Sequence, residues 1–142
     1  MSNGEIKHIV VALDESGEPK KGLEKAIYIA KLSDAKITGV NVINIDTTTL
    51  AAAVTDYGKY LTKKAEEMLD STKRYCEKQG IQFASKILDG SPASKIDEFA
   101  EKEKVDLVIV GSKGLGGFRG KILGSVANSI VHESKVSVLV VK

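Results

Sequence analysis

The sequence lacks paired cysteines, tryptophan and any long apolar run. Its one cysteine, Cys76, excludes an internal disulfide and fits a reducing compartment. No stretch approaches the roughly 18 apolar residues that a membrane-spanning helix needs. The amino-terminal part shows no secretion signal, because the apolar run Ile9–Leu13 is short and ends at Asp14. These absences predict a cytoplasmic protein that does not enter a membrane.

The chain also has little net charge and few residues typical of catalytic or metal sites. Its net charge of +2 is too small to attract nucleic acid or a membrane surface by bulk electrostatics. His8, His132 and Cys76 show neither metal-ligand spacing nor a nucleophile–base arrangement. We therefore expect no nucleic-acid partner, no metal-binding residues and no catalytic residues, and other partners have to be inferred from local sites.

What the chain contains is a regular alternation of apolar strands and amphipathic helices. A length of 142 residues, with 42% hydrophobic and 28% charged residues, suits one domain spanning 1–142. Strands are predicted at Ile6–Leu13, Lys36–Ile45, Ile81–Leu88, Val105–Val110 and Val136–Val141. Helices between them make right-handed crossovers, so we predict a single doubly wound α/β domain: a five-stranded parallel sheet with helices on both faces.

Helical spacing of apolar residues predicts which faces are buried. In the first helix the buried face is Leu23, Ala26, Ile27 and Ala30, and in the long helix Tyr57–Gln79 it is Leu61, Ala65, Met68, Thr72 and Tyr75. The segment Asp46–Asp56 has no clear period. It is either a loop, which would be a lid or disordered, or a loose extension of the long helix.

The fourth strand leads into a glycine-rich stretch that ends at Gly124-Ser125. Glycine adopts positive φ freely and brings backbone N–H groups close to a ligand, and the first N–H groups of a helix lack intrahelical partners. Strand, glycine loop and helix start together predict a phosphate site, although the glycines also suit a simple long turn. A P-loop is excluded by Leu115 and Ile122, and the dinucleotide fingerprint by Arg119.

The spacing Gly111-x2-Gly114-x9-Gly124-Ser125 resembles the nucleotide-binding signature of the universal stress protein family. The resemblance covers nearly the whole chain, from VVALDES near the start to VSVLVVK near the end. It implies the strand order 3-2-1-4-5 and an ATP site at the switch point between strands 1 and 4. Any Mg2+ would arrive with the nucleotide. The site residues that it implies are Ala12, Asp14, Val42, Gly111, Lys113, Gly114, Gly124, Ser125 and Val126.

Each implied role has a physical basis and, for two residues, an alternative. Asp14 would accept hydrogen bonds from the ribose hydroxyls or cap the first helix. Val42 would meet the adenine, and the glycine loop with Ser125 would hold the phosphates. Lys113 would neutralise phosphate charge or be an ordinary solvated residue. Ala127 departs from the family pattern, since nucleotide-binding members often carry a hydroxyl there.

The resemblance implies an ATP-binding regulatory protein of the stress response that acts on an unknown downstream protein. The alternatives are a nucleotide-independent, homodimeric interaction module of the same fold and a slow ATP hydrolase, for which the sequence offers no base. A homodimer is expected through Val136–Val141, because this strand is apolar on both faces and lies at an edge in the implied order.

Overall fold

The computed structural model describes residues 4–13, 20–43, 51–112 and 124–142, with residues 20 and 51–55 described by their backbone only. Within these ranges strands and helices alternate. They are β1 (His8–Ala12), α1 (Lys20–Ser33), β2 (Lys36–Ile43), α2 (Ala51–Lys78), β3 (Phe83–Asp89), α3 (Pro92–Lys102), β4 (Leu107–Gly111), α4 (Ser125–Glu133) and β5 (Ser137–Val141). The predicted alternation is confirmed.

The strands form one parallel sheet in the order β3-β2-β1-β4-β5. This confirms the predicted fold class, the strand order and the edge position of β3. Side chains alternate along β1, so that Ile9 and Val11 pack with α1 and α2 on one face, whereas Val10 packs with α3 and α4 on the other. The apolar runs without alternation reflect this burial on two faces.

The predicted buried face of α1 is confirmed, but that of α2 is partly wrong. Ala65, Leu69 and Cys76 are buried in α2, whereas Tyr75 is 45% exposed. Leu69 and Cys76 follow Ala65 at intervals of four and eleven residues, so the buried face is rotated away from Tyr75. Leu61, Met68 and Thr72 lie at its margins, half-buried.

Helix α2 begins at Ala51, well before the predicted Tyr57. Residues 51–56 of the ambiguous Asp46–Asp56 segment are therefore helical, and residues 46–50 lie outside the described ranges. At about 1.5 Å per residue, α2 is much longer than β3. No described side chain in residues 56–64 is buried, whereas Ala65, Leu69 and Cys76 further along the helix are.

Helices α1, α2 and α3 end with the same turn. Each is followed by a residue with positive φ, namely Asp34 (57°), Gly80 (77°) and Lys104 (54°). In each case the next N–H donates to a carbonyl five residues back, over 3.1, 3.0 and 2.9 Å. These are Schellman-type helix ends, and they lead the chain directly into the amino ends of β2, β3 and β4. None of the helices in the described ranges has the length and apolar character of a membrane-spanning segment.

Candidate functional site

The carboxyl ends of β1 and β4 lie side by side at the centre of the sheet. β1 ends at Ala12 and β4 at Gly111, and the two strands pair from Ile9 with Leu107 onward. The chain then leaves β1 toward α1 on one face and β4 toward α4 on the other. This divergence opens a crevice of the kind in which doubly wound proteins bind ligands.

Three of the predicted site residues pack on the same side of the sheet. Ala12, Val42 and Val126 are half-buried and pack against the same apolar cluster, which lies between the sheet and helices α3 and α4. Ala127 belongs to that cluster and is 0% exposed. Its side chain therefore packs in the core. A hydroxyl at this position would be buried there rather than exposed.

The first turn of α4 reaches the crevice without a side-chain cap. Its N-cap residue is Gly124, which has no side-chain oxygen, and its first residue, Ser125, is exposed. The Gly124 carbonyl accepts from Asn128 N–H (2.9 Å), which starts the helical hydrogen bonds. The N–H groups of Ser125 and Val126 have no intrahelical partner by geometry and carry partial positive charge, so this helix start suits an anion.

Backbone bonds join the two ends of the glycine-rich stretch. Ser112 donates its N–H to Val141 C=O (2.8 Å), and Gly124 donates its N–H to Ser112 C=O (2.7 Å). The Gly124 N–H is thus committed to closing the stretch and is not free for a phosphate. Residues 113–123 lie outside the described ranges, and with them Lys113 and Gly114; Asp14 also does.

The two described site glycines are not explained by positive φ, contrary to the general expectation for this stretch. Gly124 has φ −59° and ψ 156°, and Gly111 lies outside the left-handed region. A Cβ at Gly111 would meet no atom within 4 Å among those described. At Gly111 the useful property is the open space at the end of β4, where a ligand can approach the backbone.

Asn41 is a site-adjacent residue that the sequence analysis missed. It is buried in β2, and its Nδ2 donates to the carbonyl of Leu13 (2.9 Å), while Leu13 N–H donates to Val40 C=O (2.8 Å). Leu13 is the last described residue before Asp14. The available signal was an asparagine between two valines in a predicted strand, where asparagine is disfavoured.

Polar side chains at the opposite, amino ends of the strands are paired with one another. His8 is buried and hydrogen-bonded through Nε2 to Thr38 Oγ1 (2.7 Å). One carboxylate oxygen of Asp106 accepts from the N–H groups of Lys7 (2.9 Å) and His8 (3.0 Å). Burial, and next the charge of Lys36, lower the pKa of His8. His8 therefore lies at the wrong end of the sheet to act as a base in the crevice.

The remaining reactive groups in the described ranges give no catalytic arrangement. Burial, with a smaller contribution from Glu77, raises the pKa of the Cys76 thiol to about 11, so the thiol is protonated at neutral pH. Among the described side chains no group of three His, Cys, Asp or Glu is placed to hold a metal ion.

Comparison with known proteins identifies the family. The sequence profile of the Universal stress protein family matches residues 5–142. The chain belongs to the universal stress protein family. One relative is the universal stress protein MJ0531 of Methanocaldococcus jannaschii, which is 34% identical over 145 residues; the match covers 99% of this chain and 85% of the relative.

Solved structures of the universal stress protein family share the fold. The hypothetical protein MJ0577 matches with a TM-score of 0.86 and 27% identity, over 96% of this chain and 95% of that one. A universal stress protein in complex with cAMP matches at TM-score 0.72 and 24% identity, over 97% and 98% of the two chains. One from Archaeoglobus fulgidus in complex with dAMP matches at TM-score 0.72 and 21% identity, over 96% and 98%. The last two likenesses establish the fold, and their ligands belong to those proteins.

Proposed function

We propose that this universal stress protein is a cytoplasmic, ATP-binding regulatory protein, with its nucleotide site in the crevice beyond β1 and β4. The observation that carries the proposal is the start of α4: Gly124 leaves it without a side-chain cap, and it lies close to the open space at Gly111. A helix start of this kind favours a phosphate group. The change that ATP makes to the surface would then be recognised by a downstream protein.

The described residues fit the two ends of the nucleotide. Val42, with Ala12 and Val126, offers an apolar wall for the base. The exposed Ser125 hydroxyl and the N–H groups of the first turn of α4 face the phosphates. Bound ATP supplies the negative charge that this helix start neutralises.

Three further contacts belong to the proposal on the strength of the sequence. Asp14 would accept from the ribose hydroxyls, and Gly114 and Lys113 would complete the phosphate contacts. Mg2+ would arrive with the nucleotide and keep most of its waters. The family members in complex with cAMP and dAMP support an adenine nucleotide, and the phosphate contacts are what would favour ATP among such nucleotides.

Calorimetry and a phosphate-release assay together test this function. We expect ATP to bind with micromolar affinity, about −8 kcal/mol, and phosphate release to stay at the no-protein background, since the sequence suggests no general base to activate water. Nucleotide analysis of denatured, freshly purified protein gives a second measure of binding. Absence of binding would favour the nucleotide-independent interaction module, and sustained turnover at about 1 s⁻¹ would make the protein an ATPase.

The proposal includes a homodimer formed by β5. This strand is the sheet edge beside β4, and its apolar side chains Val138, Leu139, Val140 and Val141 are half-buried in the single chain. An apolar edge of this kind can pair with the same edge of a second copy. Sedimentation equilibrium at micromolar concentration should show a dimer, and a monomer alone would refute this part of the proposal.

A proline scan of β5 separates the dimer edge from the sheet. Val141 C=O accepts from Ser112, so the polar backbone groups of Val141 and Leu139 point toward β4 and those of Val140 point away from it. Val140→Pro removes an outward N–H and should give a folded monomer. Leu139→Pro is the matched control, because it removes an N–H that faces β4 and should lower stability as well. A dimeric Val140→Pro variant would show that another surface forms the dimer.

A further inference from the structure

The backbone ladder between β1 and β2 stops one hydrogen bond early at the crevice. Leu13 N–H donates to Val40 C=O (2.8 Å). In a continued parallel ladder the next bond would run from Val42 N–H to Leu13 C=O. The paired register ends at Ala12 with Val40, so that bond is not formed.

The carbonyl of Leu13 is occupied by a side chain instead. Asn41 Nδ2 donates to it over 2.9 Å, and Asn41 is only 6% exposed. A buried amide costs free energy unless it is hydrogen-bonded, and asparagine is disfavoured in strands. The side-chain donor of Asn41 therefore takes the place of the backbone donor of Val42.

The consequence is a pair of backbone groups on Val42 that has no partner in β1 among the described residues. Val40 C=O points toward β1, since it accepts from Leu13. Backbone groups of a strand repeat their direction every two residues, so Val42 N–H and C=O point to the same side. The ladder with β1 has ended at this height, and both groups face the crevice at the residue whose side chain forms its apolar wall.

We propose that Asn41 is a positioning residue for recognition of the base. By holding Leu13 C=O, it keeps the N–H donor and the C=O acceptor of Val42 available to the base edge. Adenine offers an acceptor at N1 beside a donor at its 6-amino group, which complements this pair. Hypoxanthine offers a donor at N1 and an acceptor at position 6, which reverses it. The inference rests on the proposed nucleotide site and assigns the origin of its base selectivity.

Amide hydrogen exchange measured by NMR tests the free state directly. In the ligand-free parent, Val42 N–H should exchange at least about tenfold faster than Val40 N–H, which lies within the ladder, because exchange reports local opening. In Asn41→Leu, which removes the donor at similar volume, Leu13 C=O should pair with Val42 and protect its N–H without ligand. Asn41→Val is a second variant with higher strand propensity. Equal protection of Val40 and Val42 in the parent would overturn the inference.

Calorimetry with ATP and inosine triphosphate tests recognition. The parent should prefer ATP by about tenfold or more, the value of one to two hydrogen bonds. Asn41→Leu should lower ATP affinity about tenfold and leave inosine triphosphate affinity unchanged, so that the preference disappears. Thr38→Val is the control: it lies in the same strand and loses the bond to His8 at the far end of the sheet. It should lower stability and keep the preference.

The outcomes separate the inference from the function on which it rests. A parent that binds neither nucleotide refutes the nucleotide site, and base selectivity falls with it. A parent that prefers ATP, together with an Asn41→Leu variant that keeps both the affinity and the preference, refutes the role of Asn41 alone. Loss of the preference in Thr38→Val as well would show that Asn41 acts only through general stability.

Discussion

The two ends of the sheet satisfy their polar groups differently. At the amino ends, His8 pairs with Thr38, and Asp106 accepts two backbone N–H groups. At the carboxyl ends, the ladder between β1 and β2 stops early, and α4 starts at a glycine that cannot cap it. Among the described residues, the amino ends of the sheet therefore pair their polar side chains within the chain, whereas the carboxyl ends leave the first N–H groups of α4 uncapped by a side chain.

The segments that connect helices and strands also differ in length between the two ends of the sheet. At the amino ends, three helices turn into strands through Schellman-type ends, and the connecting segments 34–35, 79–82 and 103–106 are short. At the carboxyl ends, β1, β2 and β4 continue into the longer segments 13–19, 44–50 and 112–124. Short hydrogen-bonded turns serve stability, whereas long segments carry variable function. The comparison predicts that substitutions at the two ends should affect different measurements.

The largest effect is expected at the carboxyl end, from Gly114→Val. A β-branched side chain would replace a glycine where close approach of a phosphate is proposed. ATP affinity should fall by at least about 100-fold, or about 2.7 kcal/mol, and the midpoint of thermal unfolding should stay the same, since we expect the glycine-rich stretch to contribute little to the core. Calorimetry on the variant and the parent makes the comparison. Equal ATP affinity would show that this stretch does not hold phosphate.

The converse effect is expected at the amino end, from Asp106→Ala. Its carboxylate accepts from Lys7 and His8 N–H, and hydrogen bonds to a charged group contribute about 1.5–3 kcal/mol each before solvent exposure is considered. Because these bonds are partly exposed, we expect the free energy of unfolding to fall by about 2 kcal/mol in urea titrations. ATP affinity should not change. Asp106→Asn keeps an acceptor oxygen and should recover most of the loss; a drop in ATP affinity would show that the two ends are coupled.

A smaller gain in stability is expected from Lys104→Gly. Lys104 has φ 54° at the end of α3, a conformation that costs an L-residue with a side chain about 1 kcal/mol. Glycine should raise the free energy of unfolding by about 0.5–1 kcal/mol without changing ATP affinity. Asp34→Gly is a matched control at the end of α1 and should gain less, since aspartate tolerates this conformation. An unchanged or lower unfolding free energy in Lys104→Gly would contradict the strain.

The smallest effect is a pH dependence of stability from His8. Its pKa is lowered from 6.5 in the fold, first by burial and then by Lys36, while Glu103 and Asp106 act in the opposite direction. Between the lowered value and 6.5 the unfolded chain binds more protons, so stability is full above 6.5 and falls as the pH drops below it. His8→Gln should flatten this part of the curve in urea titrations between pH 5 and pH 8. Parallel curves for parent and variant would show that other groups cause the dependence.

The sequence predicted the strands and helices better than it predicted their order, their ends and their buried faces. The strands followed from apolar runs such as Val105–Val110, whereas the strand order came from the family resemblance, because periodicity holds no information on which strands are neighbours. The start of α2 at Ala51 was left open between a loop and an extension of the helix, because residues 46–56 show no apolar period. Tyr75 was assigned to the core from its helical spacing to Leu61, but the buried face of α2 is centred on Leu69 and Cys76 instead.

The candidate site likewise contains residues that the sequence predicted and one, Asn41, that it did not. Glycine spacing predicted which segments form the site, and Ala12, Val42 and Val126 pack against the same apolar cluster. The role of Asn41 was not visible, because it depends on where a neighbouring strand leaves its ladder. Hydrogen bonds between residues far apart in sequence depend on register, which a single sequence does not encode locally.

The bond between Gly124 N–H and Ser112 C=O bears on how this protein can evolve. It anchors both ends of the segment 113–123 to the strand and helix that flank it. The entropic cost of closing a loop rises only with the logarithm of its length, about 0.6 kcal/mol for each doubling. Insertions, deletions and substitutions between the two anchors therefore need not disturb the sheet. Sequence changes in this segment can therefore alter ligand binding during evolution while the fold of the domain is kept.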